Sequence, residues 1–158
     1  MGVEVTDFDR AMEFILKWEG FISDHPDDPG KLTIYGIAGK YHPEEVRQMK
    51  ALIDGGSKEA ALYIAKKIYR REYWEAAGCD SLEWPMNLVV FDCAVNQGVK
   101  RAIGFRDSAL NWTDVLFKRI THYISLGKPV FLAGWINRII DLYETAKTAH
   151  PISEEYHG

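Results

Sequence analysis

Among the acids of this chain, Glu19 stands where an apolar side chain is expected. Read as a helix, residues 7–19 place Phe8, Ala11, Met12, Ile15 and Glu19 on the i, i+3, i+4, i+7, i+11 spacing of one face, so the acid is directed toward the core. Glu19 also falls in the last turn, just ahead of Gly20, where the helix dipole is negative. Burial and dipole both disfavour the charged carboxylate. A carboxylic acid kept protonated near neutral pH serves as a general acid, the group needed to protonate a leaving-group oxygen when a glycosidic bond breaks. The alternative is a structural acid paired with an arginine, or one left in solvent beyond an early helix end.

The segment that follows carries further chemistry. Asp24, Asp27 and Asp28 come soon after Glu19, and Thr33 and Tyr35 come just before Gly36. An acid on a rigid helix facing a carboxylate-bearing loop makes a two-acid site, in which the second carboxylate positions water or stabilises an oxocarbenium ion. The competing reading of Asp27-Asp28-Pro29-Gly30 is a solvated turn, which composition alone favours. Asp92 and Asn96 lie four apart in an otherwise apolar stretch, so they share a helix face; Asn96 is a candidate sugar contact and Asp92 a structural partner. Trp135, with Asn137 and Arg138, could form a sugar platform or simply pack in the core, and Tyr35 is the better stacking candidate. The histidines, His25, His42, His122, His150 and His157, show no HExxH or comparable pairing, so neither a metal nor another cofactor is expected. No G-x-S-x-G, P-loop or activated cysteine context occurs, which argues against an amidase or peptidase that uses a nucleophile.

These residues need elements to hold them. Thr6 with Asp9 three residues on reads as an imperfect capping box opening the first helix, and Gly20 as its C-terminal cap. Residues 20–43 are too rich in proline and glycine for a helix, and KLTIYGI within them can supply a small β-hairpin. Pro43 opens a helix stopped by Gly55-Gly56, and Ser57 starts another that runs to about Trp74. Pro85 precedes MNLVVFDCAVNQ, apolar on nearly all sides until Gly98 and therefore central to the fold. Helices are expected over 99–110, over 113–126 with Thr113 as cap, and over 130–147, followed by a frayed tail, PISEEYHG. With no strand–helix alternation, the fold class is mainly α with at most a small sheet.

Bulk properties set the outer limits. The 158 residues are enough for one compact domain with a sizeable core, and the 47% hydrophobic content excludes a disordered chain. A formal charge of −4 gives no reason to expect nucleic acid or polybasic attraction to an anionic surface. Cys79 and Cys93 form neither a disulfide framework nor a zinc motif and read as free thiols. The N-terminal residues lack the pattern of a secretory signal, and no apolar run approaches the ~20 residues of a membrane span, so accumulation in the cytoplasm is expected.

Three ordered blocks carry a family resemblance. W-E-G-F at 18–21, P-x-D-P-G at 26–30 and T-x-Y-G-I at 33–37 form the first; Tyr73-Trp74 before Pro85 and V-F-D-C-A-V-N-Q-G at 90–98 form the second; F-L-A-G-W-I-N-R at 131–138 forms the third. Together they resemble glycoside hydrolase family 108, the lysozyme-like muramidases that include phage endolysins and so-called secretion activator proteins. The resemblance implies a lysozyme-like helical domain with a small hairpin after the first helix, acting on peptidoglycan glycan strands at the β-1,4 bond after N-acetylmuramic acid. It implies Glu19 as proton donor, with Asp28 and Thr33 matching the aspartate and threonine that related phage lysozymes carry on the hairpin. Residues 1–98 would then be the catalytic lobe and 99–158 a shortened peptidoglycan-binding part packed into the same compact domain. Departures are Lys31, where members commonly have glycine, and Ile34, where they have asparagine; the stretch RAIGFRDSALNWTDVLFKRI also lacks a glycine-rich turn. A cytoplasmic enzyme of this kind needs a holin or an export system to reach the periplasm or wall. Lytic transglycosylation on the same glycan, and a non-catalytic wall-binding or assembly role in a phage or a secretion system, remain as alternatives.

Overall fold

The computed structural model describes residues 4–24 and 32–148. Asp28 and Lys31, and the tail read as frayed, lie outside the described residues. Seven α-helices and one three-stranded antiparallel sheet occur among the described residues, so the mainly α class with a small sheet after the first helix holds.

Helix α1, Asp7–Glu19, has the boundaries its sequence signals predict. The Thr6 N–H donates to the Asp9 carboxylate at 3.2 Å, and the Asp9 N–H donates to Thr6 Oγ1 at 3.2 Å. Aspartate thus completes the reciprocal box that glutamate usually closes. Gly20 ends the helix at φ +77°, its N–H donating to the Leu16 carbonyl at 3.0 Å.

The chain divides into two compact units, one of residues 12–72 and one of residues 1–11 with 73–158. The first holds β1 (Ile22–Ser23), β2 (Thr33–Ile34), β3 (Ile37–Ala38), α2 (Pro43–Asp54) and α3 (Lys58–Tyr69). Strand order follows the chain, with Ile22 opposite Ile34 and Ile34 opposite Ile37. Met12, Ile15, Ile34, Ile37, Met49, Ala65 and Ile68 are buried in this unit. Ile34, noted above as a departure from the resemblance, is a core residue here. Ser57 precedes α3 as expected but caps it with its carbonyl, which accepts from the Ala61 N–H at 3.2 Å, and not with its hydroxyl. The helix read to Trp74 is regular only to Tyr69 and continues as a π turn, Arg70–Glu75. Such a turn inserts an extra residue and shifts the buried face, which apolar spacing alone does not register.

The second unit is organised by α4, Met86–Gln97, whose residues Asn87 to Ala94 are all buried. Helices α5 (Val99–Ser108), α6 (Trp112–Ser125) and α7 (Pro129–Lys147) pack against it. Phe8, Trp74 and Phe91 form an aromatic cluster with ring centroids 5.2–5.8 Å apart. Helix α6 is capped by Asn111, not by Thr113. Asn111 is fully extended, so its side-chain oxygen reaches the Asp114 N–H at 2.9 Å, while Thr113 already lies inside the first turn.

Candidate active site

Glu19 closes α1, and its stem lies beside the turn of the β2–β3 hairpin. Two residues, Tyr35 and Gly36, connect the strands with φ of +50° and +81°. Positive φ at both central positions is the type I′ turn whose twist matches the strands it joins. Glycine adopts it freely, whereas tyrosine does so rarely. Two hydrogen bonds hold the tyrosine backbone there: its N–H donates to the Phe21 carbonyl at 2.6 Å, and its carbonyl accepts from the Tyr69 hydroxyl at 2.8 Å.

The turn then presses on the acid. A Cβ placed on Gly36 would lie 2.8 Å from Glu19 Cβ and 3.0 Å from Glu19 Cγ, and would overlap the Tyr69 hydroxyl. Only glycine fits between them. Glu19 is half-buried rather than enclosed in the core, because it lies one helical turn past Ile15 and meets the hairpin there.

The other expected site residues fall into two groups. Thr33 sits on β2 opposite Ser23 and Ala38, and Tyr35 packs its ring edge-on against Phe21 at 4.9 Å, with Lys58 Nζ 4.9 Å from the Phe21 ring centroid. Both share the unit of residues 12–72 with the end of α1 that carries Glu19. Burial raises the Tyr35 phenol above its ordinary range.

Asn96 and Trp135 come together in the other unit, through Tyr123. The Tyr123 hydroxyl donates to the Asn96 side-chain oxygen, and the Tyr123 ring stacks on Trp135 at 4.8 Å. Trp135 also stacks on Phe131 at 5.8 Å, and Phe131 is 56% exposed, so the aromatic row reaches the surface. Asp92 takes the structural role. Fully buried, it accepts from Arg138 at 2.7 Å and lies 2.8 Å from Arg119 Nη1, and both guanidiniums are buried as well. Arg119 is completed by Gln97 Oε1 at 2.6 Å. Arg138, weighed above with Trp135 and Asn137 for a sugar platform, is a core ion-pair residue.

The model of the glycosyl hydrolase 108 family matches residues 12–98. This chain belongs to that family. It is a glycoside hydrolase with a glycan substrate. Comparison with curated proteins and with solved structures gave no match. In this family 108 hydrolase the matched stretch contains Glu19, Thr33, Tyr35 and Asn96 and ends at Gly98, short of Trp135. No group of three or more His, Cys, Asp or Glu side chains among the described residues is placed to hold a metal. No helix of the described residues is long and apolar enough to cross a membrane.

Residue spacing alone does not single out Gly36, Tyr69 or Tyr123. Gly36 falls within the segment read as a hairpin, but nothing in the spacing marks it as the residue packed beside the acid. Tyr69 and Tyr123 carry hydroxyls whose partners lie on other elements, 34 and 27 residues away.

Proposed function

We propose that this glycoside hydrolase is a peptidoglycan N-acetylmuramidase that cleaves the β-1,4 bond between N-acetylmuramic acid and N-acetylglucosamine, with Glu19 as general acid. The observation that supports this most is the placement of Glu19: half-buried at the end of α1, its stem against Gly36 of the hairpin, inside the stretch matched to the family. Glu19 protonates the glycosidic oxygen as the bond to the leaving sugar breaks. Asp28, with Thr33, orients the attacking water or stabilises the oxocarbenium-like charge. Tyr35 offers an aromatic face to a sugar ring; in the other unit, Asn96 offers its amide nitrogen to a sugar hydroxyl and Trp135 an aromatic contact. Residues 1–98 carry the chemistry in this reading, and 99–158 form a reduced peptidoglycan-binding part. The enzyme meets its substrate after holin-mediated release or by export.

Digestion of purified peptidoglycan by the wild type and by Glu19→Gln, with mass spectrometry of the fragments, tests the assignment. Reducing muramic-acid ends are expected from the wild type, at a rate that falls about a hundred- to ten-thousandfold in the variant. Anhydro-muramic ends would instead make the enzyme a lytic transglycosylase. No release by folded wild-type protein would leave a wall-binding or assembly protein.

A further inference from the structure

We infer that Tyr69 is a positioning residue for the acid, holding the Tyr35-Gly36 turn against the stem of Glu19 through the bond from its hydroxyl to the Tyr35 carbonyl. The inference rests on Glu19 being the proton donor proposed above.

Three features of the unit formed by residues 12–72 carry it. The turn holds a tyrosine at φ +50°, a backbone state that L side chains rarely adopt, so something outside the turn must favour it. The Tyr69 hydroxyl does so at 2.8 Å from the Tyr35 carbonyl. Tyr69 itself is 1% exposed at the end of α3, its neighbour Ile68 is 2% exposed, and a phenol fixed in a packed core has little freedom to leave its acceptor.

The third feature is the space at Gly36. The position that a Cβ would take overlaps the Tyr69 hydroxyl and lies 2.8 Å from Glu19 Cβ and 3.0 Å from Glu19 Cγ. Tyr69, the glycine and the acid thus form one stack, in which the turn cannot shift without changing what Glu19 packs against. Close packing at Cγ limits the first side-chain torsion, and with it the direction in which the carboxyl group extends from the helix. Proton transfer to a leaving oxygen demands that the carboxyl be placed to within about 1 Å. Tyr69 never needs to meet the glycan to affect the rate.

Tyr69→Phe keeps the ring and removes only the hydroxyl. On purified peptidoglycan its kcat is expected to fall about ten- to a hundredfold with KM changed less than about twofold, the signature of lost transition-state geometry. Ile68→Val, a core truncation beside it that leaves the hydroxyl in place, controls for stability and is expected to keep wild-type kcat. In 13C-labelled protein the Glu19 side-chain carboxyl resonance is expected to move in Tyr69→Phe and in Gly36→Ala, which enters the same space, but not in Ile68→Val. Wild-type kcat and an unmoved resonance in Tyr69→Phe would overturn the positioning role, as would equal losses in Tyr69→Phe and Ile68→Val. Glu19→Gln assayed alongside separates the two assignments: if it is inactive, the acid stands whatever Tyr69→Phe shows; if it keeps wild-type turnover, the acid and the positioning role fall together.

Discussion

At φ +81°, Gly36 occupies backbone space that an L residue enters at a cost of about 1–2 kcal/mol, and a methyl group there would also displace the Glu19 stem. Gly36→Ala is therefore expected to lower both melting temperature and activity, whereas Gly56→Ala, at φ +85° with nothing within 4 Å of the added carbon, should lower stability alone. Differential scanning fluorimetry paired with the peptidoglycan assay separates the two. The cysteines illustrate burial without chemistry. Burial foremost raises Cys79 to about 12 and Cys93 to about 11, and both are free thiols. Thiolate is the reactive form, so a thiol reagent at mildly alkaline pH should label neither in the native protein and both after denaturation. His122 is lowered, by desolvation first and then by Arg101. Its unfolded form then binds a proton more readily than its folded form, so stability is lost as pH falls below the ordinary histidine value and regained above it. His122→Gln should flatten that part of the profile, read as melting temperature between about pH 5 and about pH 7.

At the scale of elements, helix ends decide where side chains stop. Removing the Thr6 hydroxyl in Thr6→Ala breaks the box that starts α1 and should cost about 1 kcal/mol in urea unfolding. Asn111→Ala should cost a similar amount at α6, while Thr113→Ala should cost less, since Thr113 does not supply the cap. This reverses the sequence reading. Both Thr113 and Asn111 are good N-cap types, and the choice depends on the extended backbone that Asn111 takes on leaving α5. The α1 boundaries, a hairpin within KLTIYGI, the Pro43 start and the Gly98 stop were all legible, because each rests on residues whose backbone preference is local, whereas Tyr35, read there as a strand residue, lies in the turn. The π turn at Arg70–Glu75 was not, because nothing in its composition distinguishes it from a continuing α-helix.

At the scale of the whole molecule, Asp92 stands buried between Arg119 and Arg138 and ties α4 to α6 and α7 within one unit. Removing the shared carboxylate in Asp92→Ala leaves the fully buried Arg119 guanidinium without this counter-charge and takes one partner from Arg138, and should cost about 3–5 kcal/mol in chemical denaturation. Replacing Asp92 together with both arginines by apolar residues should recover much of that loss, because the cost lies in stranded charge more than in a missing contact. The −4 formal charge of the chain gives no hint of this arrangement.

The sequence by itself determined the helical class, the order of the main helices and the hairpin, since periodicity, caps and turn residues act over a few positions and survive without knowledge of the rest of the chain; its ordered motif blocks carried the resemblance to the family. It also put forward Glu19, through an acid on an apolar face ahead of a glycine. Tertiary structure decided that Glu19 is half-buried against Gly36, that Tyr69 reaches the same turn, that Asn96 meets Trp135 through Tyr123, and that Asp92 has two arginines and not one. These are contacts between residues distant in the chain, and a hydroxyl or guanidinium can satisfy itself with any acceptor that packing brings near. Which acceptor it meets is settled only when the helices and the hairpin are folded together.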